Sequence, residues 1–134
     1  MYNILTEMKR VILIVDDSPS VRQLVGLTLT NAGYEVMEAV DGSDALRKLN
    51  KIVNSDDTKA EMMFVDVNMP NMNGLEFVEQ VRKITACRFI PIIMLTTEAH
   101  VTKRQEGRLA GASGWIIKPF KPEQLVNITR KFLG

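Results

Sequence analysis

Short continuous apolar runs alternate along the chain with stretches whose apolar residues recur at three- and four-residue spacing, and the pair occurs five times. Residues 11–15 are apolar throughout, the pattern of a strand covered on both faces. Ser18 then offers an N-cap oxygen, Pro19 suits the first helical position, and Gly33 suits a C-terminal stop. Between them Val21, Leu24, Val25 and Thr28 fall on one helical face. A second strand is predicted over residues 35–40. A helix from about Ser43 follows, with Ala45, Leu46, Leu49 and Val53 as its stripe. Residues 54–59 read as a polar loop and residues 62–65 as a third strand ending at Asp66. The third helix turns Phe77, Val78, Val81 and Ile84 inward. The fourth strand covers residues 90–95, with Pro91 near its start where a missing N–H does least harm. A polar, weakly patterned helix is predicted over residues 101–109, a fifth strand over 115–117, and a last helix opening at Pro122 with Leu125, Val126, Thr129 and Phe132 on one side.

Strict alternation of strand and helix with short connections implies a parallel sheet, helices on both faces and right-handed crossovers. Five such units suit a single doubly wound α/β sheet in the order 2-1-3-4-5, which binds ligands beyond the carboxyl ends of its strands near the switch between strands one and three. The 134 residues have room for one domain, with residues 1–8 as an N-terminal extension. No long apolar run or leader pattern occurs, so neither a membrane span nor export is expected. With Cys87 the sole cysteine, no internal disulfide can form, and a reducing, cytoplasmic home fits. The net charge of +1 argues against nucleic acid as the main partner. It is unevenly spread: residues 1–95 carry −3 and residues 96–134 carry +4, either a random excess on a solvated face or a surface for an acidic partner.

Chemistry gathers where the strands end. Strand one runs into Asp16 and Asp17, strand three into Asp66, strand four into Thr96, and strand five into Lys118, so the five share one sheet edge. Three neighbouring carboxylates repel one another unless a cation neutralises them. Mg2+ is the hard divalent ion that takes oxygen ligands and keeps waters a phosphate can replace. Lys118 adds a fixed positive charge and Thr96 a hydroxyl, completing a site for a phosphoryl group. Asp66, at the end of a central strand, is the best candidate to accept it as an acyl phosphate, with Asp17 and Asp16 holding the metal.

Four segments carry a family resemblance: Val15-Asp16-Asp17-Ser18, Asp66-Val67-Asn68-Met69-Pro70-Asn71-Met72-Asn73-Gly74, Leu95-Thr96-Thr97-Glu98-Ala99, and Gly111-Ala112-Ser113-Gly114-Trp115-Ile116-Ile117-Lys118-Pro119-Phe120. In this order they resemble the receiver domains of two-component signalling, and among them the stand-alone chemotaxis regulators of the CheY type. The resemblance implies a flavodoxin-like fold, Asp66 as phosphoacceptor and Asp17 as a direct Mg2+ ligand. It implies Asp16 acting through metal-bound water, Asp66 as a further metal ligand, and Asn68 giving its backbone carbonyl to the metal. Thr96 would hydrogen-bond the phosphoryl group, Lys118 would pair with its oxygens, and the Lys118–Pro119 bond would be cis. The Asn68 and Glu98 side chains would tune the phosphate lifetime. Two positions depart from the common pattern. Thr97 stands where a small residue is usual, and its bulk narrows the phosphate pocket. Trp115, counted with Thr97 and Glu98 among the switch and tuning positions, stands where many relatives carry a Tyr or Phe that swings inward; its indole is larger and needs a partner for its N–H when buried, so a swing and a fixed position both stay open.

The implied protein is no conventional enzyme: it catalyses only its own phosphorylation and dephosphorylation. A histidine kinase is the phosphodonor, a protein such as the flagellar motor switch the target, and a phosphatase a further partner; it binds neither nucleic acid nor membrane and is a monomer. Polar Lys103, Arg104, Gln105 and Arg108, with Gly107, give the helix over residues 101–109 low stability, which suits a switching surface shared with strand five and the last helix. Alternatives stay open at this point. A phosphorelay intermediate or phosphate sink would use the same site. An aspartyl phosphatase for small esters would need a second Asp where Asn68 stands, and a flavin carrier would need a phosphate loop where Asp16 and Asp17 stand. His100 reads as an exposed residue and Cys87 as a partly buried filler.

Overall fold

The computed structural model describes residues 8–97 and 110–134. Strands β1 (Lys9–Val15), β2 (Glu35–Ala39), β3 (Thr58–Asp66), β4 (Ile92–Thr97) and β5 (Gly114–Lys118) form one sheet in the order β2-β1-β3-β4-β5. Every neighbouring pair is parallel. The described helices are α1 (Pro19–Asn31), α2 (Gly42–Val53), α3 (Gly74–Arg82) and α4 (Pro122–Leu133), with a 3-10 turn at Thr85–Cys87. The expected doubly wound α/β architecture is therefore present. Glu98, His100 and the helix predicted over residues 101–109 lie outside the described residues.

The continuous apolar runs follow from two core layers. Val11, Leu13 and Val15 of β1 face the layer under α2 and α3, with Met63, Val65, Ile92 and Met94. Ile12 and Ile14 face the layer under α1 and α4, with Met62, Phe64, Ile93 and Leu95. A strand covered on both faces has no polar alternation to show. The caps read from sequence also hold: Ser18 Oγ accepts from the Val21 amide, Pro19 opens α1, and Gly33 follows it at φ +99°, a region that suits glycine. Asp41 caps α2 and Asn73 caps α3, each accepting the amide three residues on.

Several boundaries differ from expectation. β3 begins at Thr58, inside the stretch read as a polar loop, because Lys9 and Arg10 extend β1 and pair with Thr58 and Lys59. A bulge at Glu61 then shifts the register by one residue, between the Val11–Ala60 and Ile12–Met62 pairs. β4 starts at Ile92, not Ile90; Pro91 precedes it and contributes only its carbonyl, which accepts from the Met63 amide at 2.9 Å. The α1 stripe is rotated. Val25, Gly26 and Leu29 are buried, while Leu24 is 41% exposed. Ile52 replaces Val53 in the α2 core, and Ile128 replaces Phe132 against the sheet. Where a helix is apolar on more than one side, spacing alone does not say which side the sheet covers.

At the amino end of the sheet, opposite the predicted site, Arg82 ties the ends of three elements together. Its guanidinium donates to the carbonyls of Gly111 (2.7 and 3.0 Å), Cys87 (2.8 Å), Ile90 (2.7 Å) and Arg88 (3.2 Å). Sequence reading had no signal for it, since a lone Arg at a helix end usually faces water. Replacing Arg82 with Met is expected to lower stability by roughly 3 kcal/mol, because the carbonyls lose a charged donor, or about 10 °C in Tm. Arg82→Lys should recover less than half of that, since one ammonium cannot serve four carbonyls. Thermal denaturation of the three proteins checks both.

Candidate functional site

The carboxyl edge of the sheet gathers the predicted chemistry. β1 and β3 are neighbours, so the residues that follow Val15 and Val65 in the register, Asp16 and Asp66, emerge side by side. Carboxylate oxygens of Asp16, Asp17 and Asp66 lie within 4.8 Å of one another. Asp16 and Asp66 are buried and Asp17 is exposed at the rim. Lys118 at the end of β5 reaches across β4 and β3, its Nζ donating to Asp16 Oδ2 at 3.1 Å and to Asp66 Oδ1 at 3.3 Å. The Lys118–Pro119 bond is cis.

Each part is held from below. Asp16 donates its amide to the Ala39 carbonyl at 3.2 Å, and its Oδ1 accepts from the Ser18 amide at 2.8 Å. The Asn68 amide donates to Asp66 Oδ1 at 3.3 Å, and the Asn68 side chain is exposed. Thr96 is buried and its hydroxyl donates to the Thr97 carbonyl at 3.3 Å. Thr97 pairs with Lys118 across β4 and β5, with its side chain exposed. Trp115 is half-buried, paired with Met94 and packed against the core layer under α2 and α3. Cys87, expected to be partly buried, is buried.

The electrostatics follow from that packing. Burial, reinforced by the neighbouring Asp16 carboxylate, pushes the Asp66 carboxyl up to about 6 against the pull of Lys118. Burial alone would lower Lys118, but Asp66 and Asp16 outweigh it and hold the ammonium above its ordinary value. One ammonium thus only partly answers three carboxylates. The donor set is all oxygen, with neither thiolate nor imidazole among the clustered groups, which fits a hard divalent cation such as Mg2+.

Two contributors were not singled out from sequence. Gly74 reads there as part of a turn. In the structure it is the first residue of α3, its amide donates to the Val67 carbonyl at 2.8 Å, and a Cβ at this position would stand 2.2 Å from the Asp66 carbonyl oxygen. Backbone approaches this close only where there is no side chain. Arg22 lies one turn beyond the Ser18 cap, and its Nη1 donates to the Asp16 carbonyl at 2.6 Å. A charged residue in the first turn of a helix otherwise packed on the sheet was the available signal.

Comparison with known proteins agrees with this geometry. A family model described as the response regulator receiver domain matches residues 12–130. The chain is similar to the chemotaxis protein CheY1 of Helicobacter pylori, 40% identical over 124 residues that span 92% of this chain and 96% of that protein. It is 39% identical to the chemotaxis protein CheY homolog of Campylobacter jejuni, again over 92% of each chain. Among solved structures, the chemotaxis response regulator CheY4 of Vibrio cholerae matches with a TM-score of 0.83 and 47% identity, covering 94% of this chain and 99% of that one.

Two outcomes are expected from the site's packing. Without a divalent cation, Asp66 is harder to ionise in the folded chain than in the unfolded one, so its contribution to stability is full below about pH 4 and is lost as pH rises through about 6. Asp66→Asn should therefore be more stable than wild type in EDTA by up to about 3 kcal/mol at pH 7, with the gap closing towards pH 4; urea unfolding across that range measures it. Gly74→Ala should cost about 3 kcal/mol, because the obstructing atoms are backbone and cannot turn aside. Urea midpoints of that variant and wild type test it.

Proposed function

The chain belongs to the response regulator receiver domain family, and we propose that it is a phosphorylation-operated switch whose phosphoacceptor is Asp66. The observation that carries this reading is the placement of Asp66 beside Asp16, Asp17 and Lys118. A nucleophile, two further carboxylates and an ammonium then stand within one small volume.

The chemistry follows from those positions. A carboxylate oxygen of Asp66 attacks the phosphorus of a phosphohistidine on a partner kinase. The new P–O bond forms as the P–N bond breaks, and the departing imidazole nitrogen keeps the electron pair. Asp17, Asp66, Asp16 through water, and the backbone carbonyl of Asn68 would hold Mg2+, which would supply charge neutralisation and orientation to the incoming phosphoryl oxygens. Lys118 Nζ, already between Asp16 and Asp66, swings from carboxylate to phosphoryl oxygen with little reorganisation. The Thr96 hydroxyl is the donor that would exchange the Thr97 carbonyl for the phosphoryl group. Water attack on the acyl phosphate returns Asp66 and inorganic phosphate, with Asn68 and Glu98 setting its rate.

The response is a population shift of the surface built by β5 and α4; the helix expected over residues 101–109 as a third part of it lies outside the described residues. Residues 96–134 carry the positive excess of the chain, and Lys121 at the start of α4 and Arg130 and Lys131 near its end are exposed. Similarity to chemotaxis regulators favours a protein target in the flagellar motor switch, a monomeric state and a cytoplasmic setting. No helix among the described residues is long and apolar enough to cross a membrane. Small-ester hydrolysis is disfavoured because Asn68, not Asp, stands two residues beyond Asp66, which leaves no general acid for a leaving group.

Intact-mass spectrometry after incubation with acetyl phosphate and Mg2+ tests the reading. Wild type should gain one phosphoryl group, while Asp66→Asn and wild type in EDTA should gain none. Equal labelling of Asp66→Asn would remove Asp66 from its role. The Lys118→Met protein should be labelled yet fail to strengthen binding to the target on phosphorylation.

A further inference from the structure

We propose that Arg22 is a positioning residue for the metal-holding end of β1: it fixes the peptide joining Asp16 to Asp17 and so sets where the Asp17 carboxylate stands. The inference depends on the reading of Asp17 as a direct Mg2+ ligand.

Asp16 needs no help to stay in place. Its amide, both carboxylate oxygens and its carbonyl are each engaged, by Ala39, Ser18, Lys118 and Arg22 respectively. Asp17 is the opposite case. It is exposed, and among the described residues its side chain makes neither a hydrogen bond nor an ion pair. Its direction is therefore inherited from its backbone. The peptide plane that carries the Asp17 amide is the one whose oxygen Arg22 holds, at 2.6 Å from Nη1.

The guanidinium is itself anchored. Nε donates to Glu38 Oε1 at 3.2 Å, and the Arg22 side chain is 14% exposed. Glu38 pairs with Ile14 across β1 and β2, so the fork spans from β2 to the end of β1. Two acceptors at different heights need two donors on one rigid plane, which Arg supplies and Lys does not. Outer contacts of this kind orient metal-holding carboxylates in general.

The sign of the effect separates positioning from simple charge. A cation near three carboxylates opposes the arrival of Mg2+, so removing it should tighten metal binding if charge alone matters. Loss of positioning does the reverse. Folding stability, which any structural arginine affects, does not by itself change the affinity of the folded fraction.

The test is calorimetric titration of wild type, Arg22→Met and Arg22→Lys with MgCl2, alongside acetyl phosphate labelling at saturating Mg2+ and urea unfolding of each. Arg22→Met should bind Mg2+ about ten-fold more weakly, while its final labelling stays within about two-fold of wild type once Mg2+ saturates. Arg22→Lys, which keeps the charge but not the fork, should also bind several-fold more weakly, and it decides the matter if Arg22→Met does not fold. Mg2+ affinity equal to or tighter than wild type in the folded variant overturns the proposal and leaves the switch intact. Wild type that neither binds Mg2+ nor takes a phosphoryl group removes the functional reading, and this inference with it.

Discussion

Repulsion among Asp16, Asp17 and Asp66 is the interaction to which the rest of the fold is fitted. Their oxygens stand within 4.8 Å of one another, two of the three residues are buried, and Lys118 supplies one opposing charge. Such a cluster is unfavourable by itself. It persists because β1 and β3 are neighbouring interior strands packed on both faces and cannot separate without opening both core layers. Topology brings the carboxylates together, and packing keeps them there.

Stability is accordingly placed elsewhere. Arg82 ties the amino ends of β4 and β5 to α3 through backbone carbonyls, at the far edge of the sheet from the carboxylates. Gly74 lets α3 start against the Asp66 backbone, so the loop after β3 is anchored at both ends. The division resembles that of other sheets of this type: one edge is invested in holding the fold, the other in binding.

The strand ends were legible in the sequence because their chemistry contradicts their surroundings. Asp16 and Asp66 follow unbroken apolar runs, and a charge at the end of a buried strand must lie at a sheet edge. The order of the sheet was legible from alternation alone. The first half of β3 was not, because Thr58 to Glu61 sit on the outer end of the strand with solvent on part of their surface, and a polar strand end resembles a loop. The rotated stripe of α1 was missed since Leu24 and Leu27 are as apolar as Val25 and Leu29, and only the packed structure says which pair the sheet covers. Arg22 and Arg82 were missed for a shared reason. Both act on backbone carbonyls outside their own helix, and carbonyls leave no mark in a string of side chains.

Charge also explains why a signal would leave through β4 and β5. With Asp66 ionised, three carboxylates and Lys118 leave the edge near −2, which a divalent cation balances. On the proposed reading, phosphorylation exchanges the single charge of Asp66 for a phosphate of about −1.5 to −2. Up to one additional negative charge then sits beyond the end of β3, and no further cation need accompany it. The end of β1 is held in place by its backbone, because the Asp16 amide donates to Ala39 and its carbonyl accepts from Arg22. Lys118 and the Thr96 hydroxyl, which in the resting state holds a 3.3 Å bond to the neighbouring carbonyl, are donors that can turn to the new charge. Both belong to the β4–β5 side. The rigid half of the site therefore sets where the phosphoryl group goes, and the loosely satisfied half is where its charge can be felt.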